Sequence, residues 1–230
     1  MAKKKIVVLT GAGMSAESGL KTFRDANGLW EGHDVMQVAS PEGFANDPEL
    51  VLEFYNQRRR QLLEVAPNKG HHDLAAMETD FDVHIITQNV DNLHEQAGSS
   101  KVLHLHGELL KVRSTENEND IRYWEKDLIV GDVDQNGHQL RPHIVWFGEM
   151  VPQLDNAIAI TKKAEVLLII GTSMQVYPAA SLIHYVRMGT PIYFIDPKSK
   201  VGASDFPNLQ IISKTASEGV SEVIRMLQKT

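Results

Sequence analysis

Six short runs of β-branched and aliphatic residues, separated by helical patterns, constrain this chain more than any other feature. They are KIVVL (5–9), DVHIIT (82–87), HIVWF (143–147), EVLLII (165–170), PIYFI (191–195) and LQIIS (209–213). Their near-continuous apolar character suits strands covered on both faces, and hence a parallel sheet. Helical periodicity falls near 48–65, 70–79, 152–163, 178–188 and 216–228. The alternation predicts an α/β fold with a doubly wound, Rossmann-like parallel sheet. Two stretches break it. Residues 20–78 place a loop and two helices between the first two strands, and residues 107–142 are polar and turn-rich. They predict a smaller second lobe formed by insertions. The expectation is one domain over 1–230, with a Rossmann-like lobe at about 1–35, 79–108 and 143–230. The small lobe then takes about 36–78 and 109–142.

Composition removes several function classes. A net charge of −7 argues against a nucleic-acid partner, which favours a basic face. The chain has no cysteine, which excludes disulfides, thiolate metal sites and a cysteine nucleophile. The start, MAKKKIVVLTGAG, is basic, but only Ile6 to Leu9 are continuously apolar, too few for a secretory signal. No apolar run approaches membrane-spanning length. The expectation is a soluble, cytoplasmic protein without a membrane partner, and, lacking coiled-coil heptads, a monomer.

The chemistry-bearing motifs follow the strands. VVLTGAGMSAESG sets Gly11, Gly13 and Ala16 in the G-x-G-x-x-A spacing, with a helix N-terminus expected for a pyrophosphate. The acidic residue that dehydrogenases carry after a second strand is missing. In its place GLKTFRDANGLW brings Phe23 and Arg24, which argues against hydride transfer. In TQNVDNLHEQAG, Gln88, Asn89 and Asp91 emerge at the carboxyl end of the 82–87 strand, where open α/β sheets bind ligands. Helix capping is the alternative for Asn89 and Asp91. In VLHLHGEL, His104 and His106 share a face, but no third metal ligand stands at a recognisable spacing. His106 is readable as a catalytic base or as a structural strand histidine.

The helix over 48–65 carries an anomaly. At about 100° per residue, Val51, Phe54, Tyr55, Leu62 and Val65 form its buried stripe, and Arg58 falls among them. Arg59 falls at the edge, and Arg60 points away as a solvated charge.

Taken together, GAGMSAESGLKTFR, GLWE, TQNVDNLHEQAG, HLHGEL, RPHIVWFGEMVP and GTSMQVYPAA, in this order, resemble the sirtuin family of NAD-dependent protein lysine deacylases. The resemblance runs from residue 11 to about 180. It implies NAD as the cofactor and acyl-lysine proteins or peptides as substrates. Gly11, Ala12, Gly13 and Ser15 would approach the cofactor phosphates through backbone donors, and Phe23 and Arg24 would cover the nicotinamide ribose. Gln88, Asn89 and Asp91 would orient ribose and carboxamide. His106 matches the general base, for which an imidazole near its ordinary value of about 6.5 is suited. Phe147 and Gly148 would line the acyl-lysine tunnel, Val145 would lie near the peptide backbone, and Gly171, Thr172 and Ser173 would meet the adenosine side. In this family the acyl oxygen attacks the ribose carbon that bears nicotinamide, so NAD is consumed rather than reduced.

The chain departs from the family pattern at several points. Most sirtuins hold a structural zinc with four cysteines, whereas this chain has Ser114 where the first is expected, so no metal site is implied. DVDQNG (132–137) starts like a calcium loop but carries His143 at the twelfth position, and reads as a turn. Tyr123, Trp124 and Ile129 are then the expected packing residues of the small lobe. Phe194 stands where many relatives have an asparagine on the adenosine ribose. Tyr55-x-x-Arg58 resembles the desuccinylase-type branch, in which arginine and tyrosine bind an acyl carboxylate, and Ala39 would leave room for a longer acyl group. Pairing of Arg58 with Glu53 or Asp25 is the alternative. Mono-ADP-ribosyl transfer and a non-catalytic NAD or ADP-ribose sensor remain open beside deacylation.

Overall fold

The computed structural model describes residues 2–21, 29–30, 32–199, 202 and 206–228. In chain order the strands are β1 (Lys5–Thr10), β2 (Leu29–Trp30), β3 (His33–Asp34), β4 (Asp82–Thr87), β5 (Val102–His104), β6 (Gly107–Ser114), β7 (Ile121–Tyr123), β8 (Leu140–Ile144), β9 (Val166–Ile170), β10 (Ile192–Ile195) and β11 (Leu209–Ile212). The α-helices are α1 (Val35–Val38), α2 (Pro41–Asn46), α3 (Pro48–Leu63), α4 (Lys69–Met77), α5 (Leu93–Gln96), α6 (Leu154–Thr161) and α7 (Ala216–Leu227).

A parallel sheet runs in the order β11-β10-β9-β1-β4-β5. Alternate residues of its strands feed two cores, which is why the runs read as continuously apolar. Ile6 and Val8 pack with Leu74 and Met77 of α4 and Val220 and Val223 of α7. Val7 and Leu9 face the other way, onto Ala157 of α6 and Leu182 and Ile183 of a 3₁₀ segment, Ala179–Tyr185. Phe194 is a core residue of this second face, 1% exposed. Each such side chain contributes about 1.5–3 kcal/mol by leaving water.

One expected strand lies elsewhere. HIVWF (143–147) is not in the parallel sheet; its first residues end β8, which pairs antiparallel with β6 in a three-stranded sheet β7-β6-β8. A short apolar run does not encode which sheet it joins. The sixth parallel strand is β5, at the edge. The 36–78 block also divides. Buried residues of α1 and α3 pack with β6, β8 and Trp146, while α4 belongs to the parallel-sheet core.

Helix α3 begins where Asp47 accepts from the Leu50 amide at 3.0 Å, with Pro48 preset for the first turn. Arg59 departs from expectation: it is fully buried. Its Nη1 donates to Asn56 Oδ1 at 2.7 Å and its Nε to the Leu109 carbonyl at 3.1 Å, because α3 is covered on this side as well. Arg60 is the exposed member, paired with Glu53 at 2.6 Å and Asp127 at 2.7 Å.

The cysteine-free segment is tied by a side-chain knot. Ser114 Oγ donates to Asp134 Oδ2 at 2.7 Å and accepts from the amides of Glu116 and Asn117. Asp134 Oδ1 accepts from the amides of Asn136 and His138, which makes DVDQNG a turn. The Ser114 bond and these amides hold the Asp134 carboxyl well below the usual carboxylate range. Beneath the knot, Leu52, Val112, Leu128 and Leu140 form a small core, against which Trp124 packs. Tyr123 and Ile129 are not core: they are 62% and 61% exposed. Ser114→Ala removes one donor and two acceptor contacts at once, and is expected to lower the melting temperature by about 3–6 °C. An unchanged melting curve would show that the knot adds nothing to stability.

Candidate active site

The chain leaves β1 for β4 and β5 on one side, and later returns through β9, β10 and β11 on the other. The carboxyl ends of β1, β4 and β9 therefore open onto a topological switch point, where the divergence of the connections leaves a crevice. A cleft of about 330 Å³ lies there. It is lined by Gly11, Ala12 and Ser15 after β1, Gln88, Asn89 and Asp91 after β4, His106 after β5, and Gly171, Thr172 and Ser173 after β9. Ala39, Tyr55 and Arg58 line it too, as do Val145, Phe147 and Gly148. Phe23, Arg24 and Asp25 lie outside the described residues.

The turn after β1 differs from expectation. Two 3₁₀ turns, Ala12–Met14 and Ala16–Ser18, follow it, and no α-helix start is offered to a pyrophosphate. The Gly11 amide donates to the Ile170 carbonyl at 3.0 Å and the Gly13 amide to the Gly171 carbonyl at 2.8 Å. The amides of Met14 and Ser15 are also bonded internally. The glycines are there for close approach: a Cβ on Gly13 would lie 2.6 Å from the Gly171 Cα. Gly13 itself is not among the residues that line the cleft.

Polar side chains on the floor are tied to one another. Asn89 Nδ2 donates to the Gly11 carbonyl and to Ser15 Oγ, each at 3.1 Å, which leaves Asn89 Oδ1 as an acceptor. Ser15 Oγ donates to Asp91 Oδ2 at 2.9 Å, and the Leu93 amide donates to Asp91 Oδ1. Asp91 thus holds the first amide of α5 and also serves the floor; burial raises its pKa. Gln88 Nε2 donates to Thr172 Oγ1 at 3.1 Å, joining the β4 and β9 ends.

The two histidines separate in role. His104 has acceptors at both ring nitrogens, the Asn89 carbonyl at 3.1 Å and Glu95 at 2.8 Å. Burial opposes its charge, but Glu95, Glu108 and the Asn89 carbonyl together outweigh burial and raise the pKa. His106 has one bond, from Nδ1 to the Gln88 carbonyl at 3.1 Å. A carbonyl only accepts, so Nδ1 carries the hydrogen and Nε2 keeps its lone pair. Burial lowers the His106 pKa below its ordinary 6.5, only partly offset by that carbonyl. It is therefore a neutral base at neutral pH, more fully so than an unperturbed imidazole. Among the described residues no group of three or more histidine or acidic side chains is placed to hold a metal.

On the opposite wall, Arg58 is half-buried. Its Nη1 donates to the Phe54 carbonyl at 2.6 Å, and the guanidinium lies 3.2 Å from the Phe54 ring centre and 5.2 Å from that of Trp30. Glu53, one suggested counter-ion, is held by Arg60 instead. The hydroxyl of Tyr55 accepts from Trp146 Nε1 at 2.9 Å. Trp146 and the Arg141–Glu149 pair behind it escaped the sequence reading. Trp146 lay inside an assumed sheet strand, and the pair forms only when β8 folds back on the turn that follows it.

The Sir2 family profile matches residues 11–178. The chain belongs to the Sir2 family. An NAD-dependent protein deacylase of Helicobacter pylori is 58% identical over 224 residues, covering 97% of each chain. A crystal structure of a Sir2 homologue–NAD complex has 40% identity and a TM-score of 0.87, covering 99% of this chain and 90% of that one. A Sir2–p53 peptide–NAD complex shares 27% identity with a TM-score of 0.78, covering 99% of this chain and 95% of its own. Among the described residues, no helix of this Sir2-family chain is long and apolar enough to cross a membrane.

Proposed function

We propose that this protein is an NAD-dependent protein-lysine deacylase that accepts acetyl groups and, through Arg58 and Tyr55, acidic acyl groups such as succinyl and malonyl. The observation that carries the reading is the shared cleft. His106 and the Gln88–Asn89–Asp91 floor line the same cleft as Arg58 and Tyr55.

The donor set suits NAD. Asn89 Oδ1 offers an acceptor, and Thr172 and Ser173 add hydroxyl-bearing residues to the cleft lining. When bound, NAD would supply the ribose carbon that takes the acyl oxygen as its bond to nicotinamide breaks, and one water would then free the lysine amine and leave O-acyl-ADP-ribose. His106 Nε2 takes a proton from a ribose hydroxyl, held in aim by the Gln88 carbonyl behind it. Asn89 and Asp91 are positioned through Ser15, so the floor needs little rearrangement on binding. Phe147 and Gly148 line the lysine path. At the far end a carboxylate needs a partner once it leaves water, and the forked donors of a guanidinium match it.

The test compares kcat/KM for acetyl- and succinyl-lysine forms of one peptide, with NAD, in wild type and Arg58→Met. The succinyl-to-acetyl ratio is expected to fall about thirtyfold, the worth of a charge-assisted hydrogen bond of about 2 kcal/mol. Equal behaviour of both peptides, unaffected by the substitution, would make Arg58 structural and the protein a plain deacetylase. Labelled ADP-ribose accumulating on protein without acyl-dependent NAD consumption would favour ADP-ribosyl transfer instead.

A further inference from the structure

The bond between Trp146 and Tyr55 has a direction that cannot reverse. An indole N–H only donates, so at 2.9 Å the Tyr55 oxygen is the acceptor. The phenol's own hydrogen must then point elsewhere. Among the described residues the hydroxyl makes no other hydrogen bond, and Tyr55 and Trp146 both line the cleft. Burial pushes the Tyr55 pKa up, so that hydrogen stays in place across the working pH range.

The indole is fixed from behind. The Arg141 guanidinium lies 3.4 Å from the Trp146 ring centre. Glu149 accepts from Arg141 Nη1 at 2.6 Å and from the Trp146 amide at 2.7 Å, with Arg113 at 3.4 Å on the same carboxylate. Phe44 packs on the indole at 5.2 Å between ring centres. An assembly this constrained is more than is needed to fill a corner of the core, where an apolar side chain would avoid burying the arginine charge.

We propose that Trp146 is a specificity-positioning residue: its N–H fixes the Tyr55 hydroxyl as a hydrogen donor aimed into the cleft, towards the distal carboxylate of a dicarboxylic acyl-lysine. This rests on the acyl preference proposed above. Such a carboxylate only accepts, so a hydroxyl already oriented as a donor pays no reorientation on binding. An acetyl methyl gains nothing from it.

The experiment is a double-mutant cycle read on the succinyl-to-acetyl kcat/KM ratio, with wild type, Trp146→Phe, Tyr55→Phe and the double variant. Trp146→Phe is expected to lower the ratio about three- to tenfold, the worth of one oriented neutral hydrogen bond, mainly through the succinyl KM. In the Tyr55→Phe background it should lower the ratio no further. Equal loss for both acyl groups, or the same drop with and without the tyrosine hydroxyl, would overturn the proposal and leave Trp146 a packing residue. The benzothiophene isostere of tryptophan, placed at position 146 alone, keeps the ring and lacks only the N–H; it must reproduce the effect even if Trp146→Phe folds poorly. The two levels fail differently. A wild type with no Arg58-dependent succinyl preference overturns the acyl reading and this proposal together. An Arg58-dependent preference that Trp146→Phe and the isostere leave intact overturns this proposal alone.

Discussion

His106→Ala lowers kcat/KM for acyl-peptide-dependent nicotinamide release by about 10²- to 10⁴-fold while NAD still binds. The imidazole touches the rest of the floor through one bond, Nδ1 to the Gln88 carbonyl. Its removal leaves the Gln88–Thr172 and Asn89–Ser15 bonds in place. The loss should therefore fall on chemistry, with NAD affinity measured by calorimetry as the control. Full nicotinamide release by the variant would dispose of the assigned mechanism. The pH profile gives an independent check. A base works in its neutral form, and that fraction shrinks as pH falls through the pKa. Because burial lowers the His106 pKa below 6.5, the acid limb of kcat/KM should lie below that value. An acid limb above 6.5 would mean that another group governs it.

Gly171→Ala is expected to cost about 3–5 kcal/mol, from a strained backbone and an overpacked contact together. The residue has φ +61, and a Cβ there would stand 2.4 Å from the Met14 nitrogen and 2.6 Å from the Gly13 Cα. Backbone cannot swing aside as a side chain does, so the turn after β1 and the turn after β9 must part. The bonds from the Gly11 amide to Ile170 and from the Gly13 amide to Gly171 would stretch with them. For a chain of this length the melting temperature should drop by about 10 °C, with weaker protection by added NAD. A variant melting within about 2 °C of wild type would mean that the two turns are not held as closely as described.

Much of this was legible because the sequence repeats one physical message. Continuous apolar runs demand two covered faces, and five of the six expected strands lie in the parallel sheet. The floor residues Gln88, Asn89 and Asp91 were found because a strand's carboxyl end is where such sheets open. The failures have a common cause. HIVWF looks like a sheet strand because a short apolar run carries no information about its partner. Arg59 was placed at a helix edge because a helical wheel does not know how many sides will be covered; its 0% exposure depends on segments near 109 and 126 folding over α3. Tyr123 and Ile129 read as core by residue type, yet both are exposed, and the core they were expected to form is made by Leu52, Val112, Leu128 and Leu140.

The sequence by itself determined the doubly wound sheet, the glycine turns and the presence of an arginine on the cleft side of α3, since each follows from local periodicity or from residue types at fixed spacing. Only the tertiary structure decided what those groups can do. It fixed which His106 nitrogen is free through the Gln88 carbonyl, and aligned Tyr55 through Trp146. It also turned the glycine amides inward, away from a ligand. Hydrogen-bond direction depends on the partner across the fold, and that partner lies 18 residues away for His106 and 91 for Tyr55.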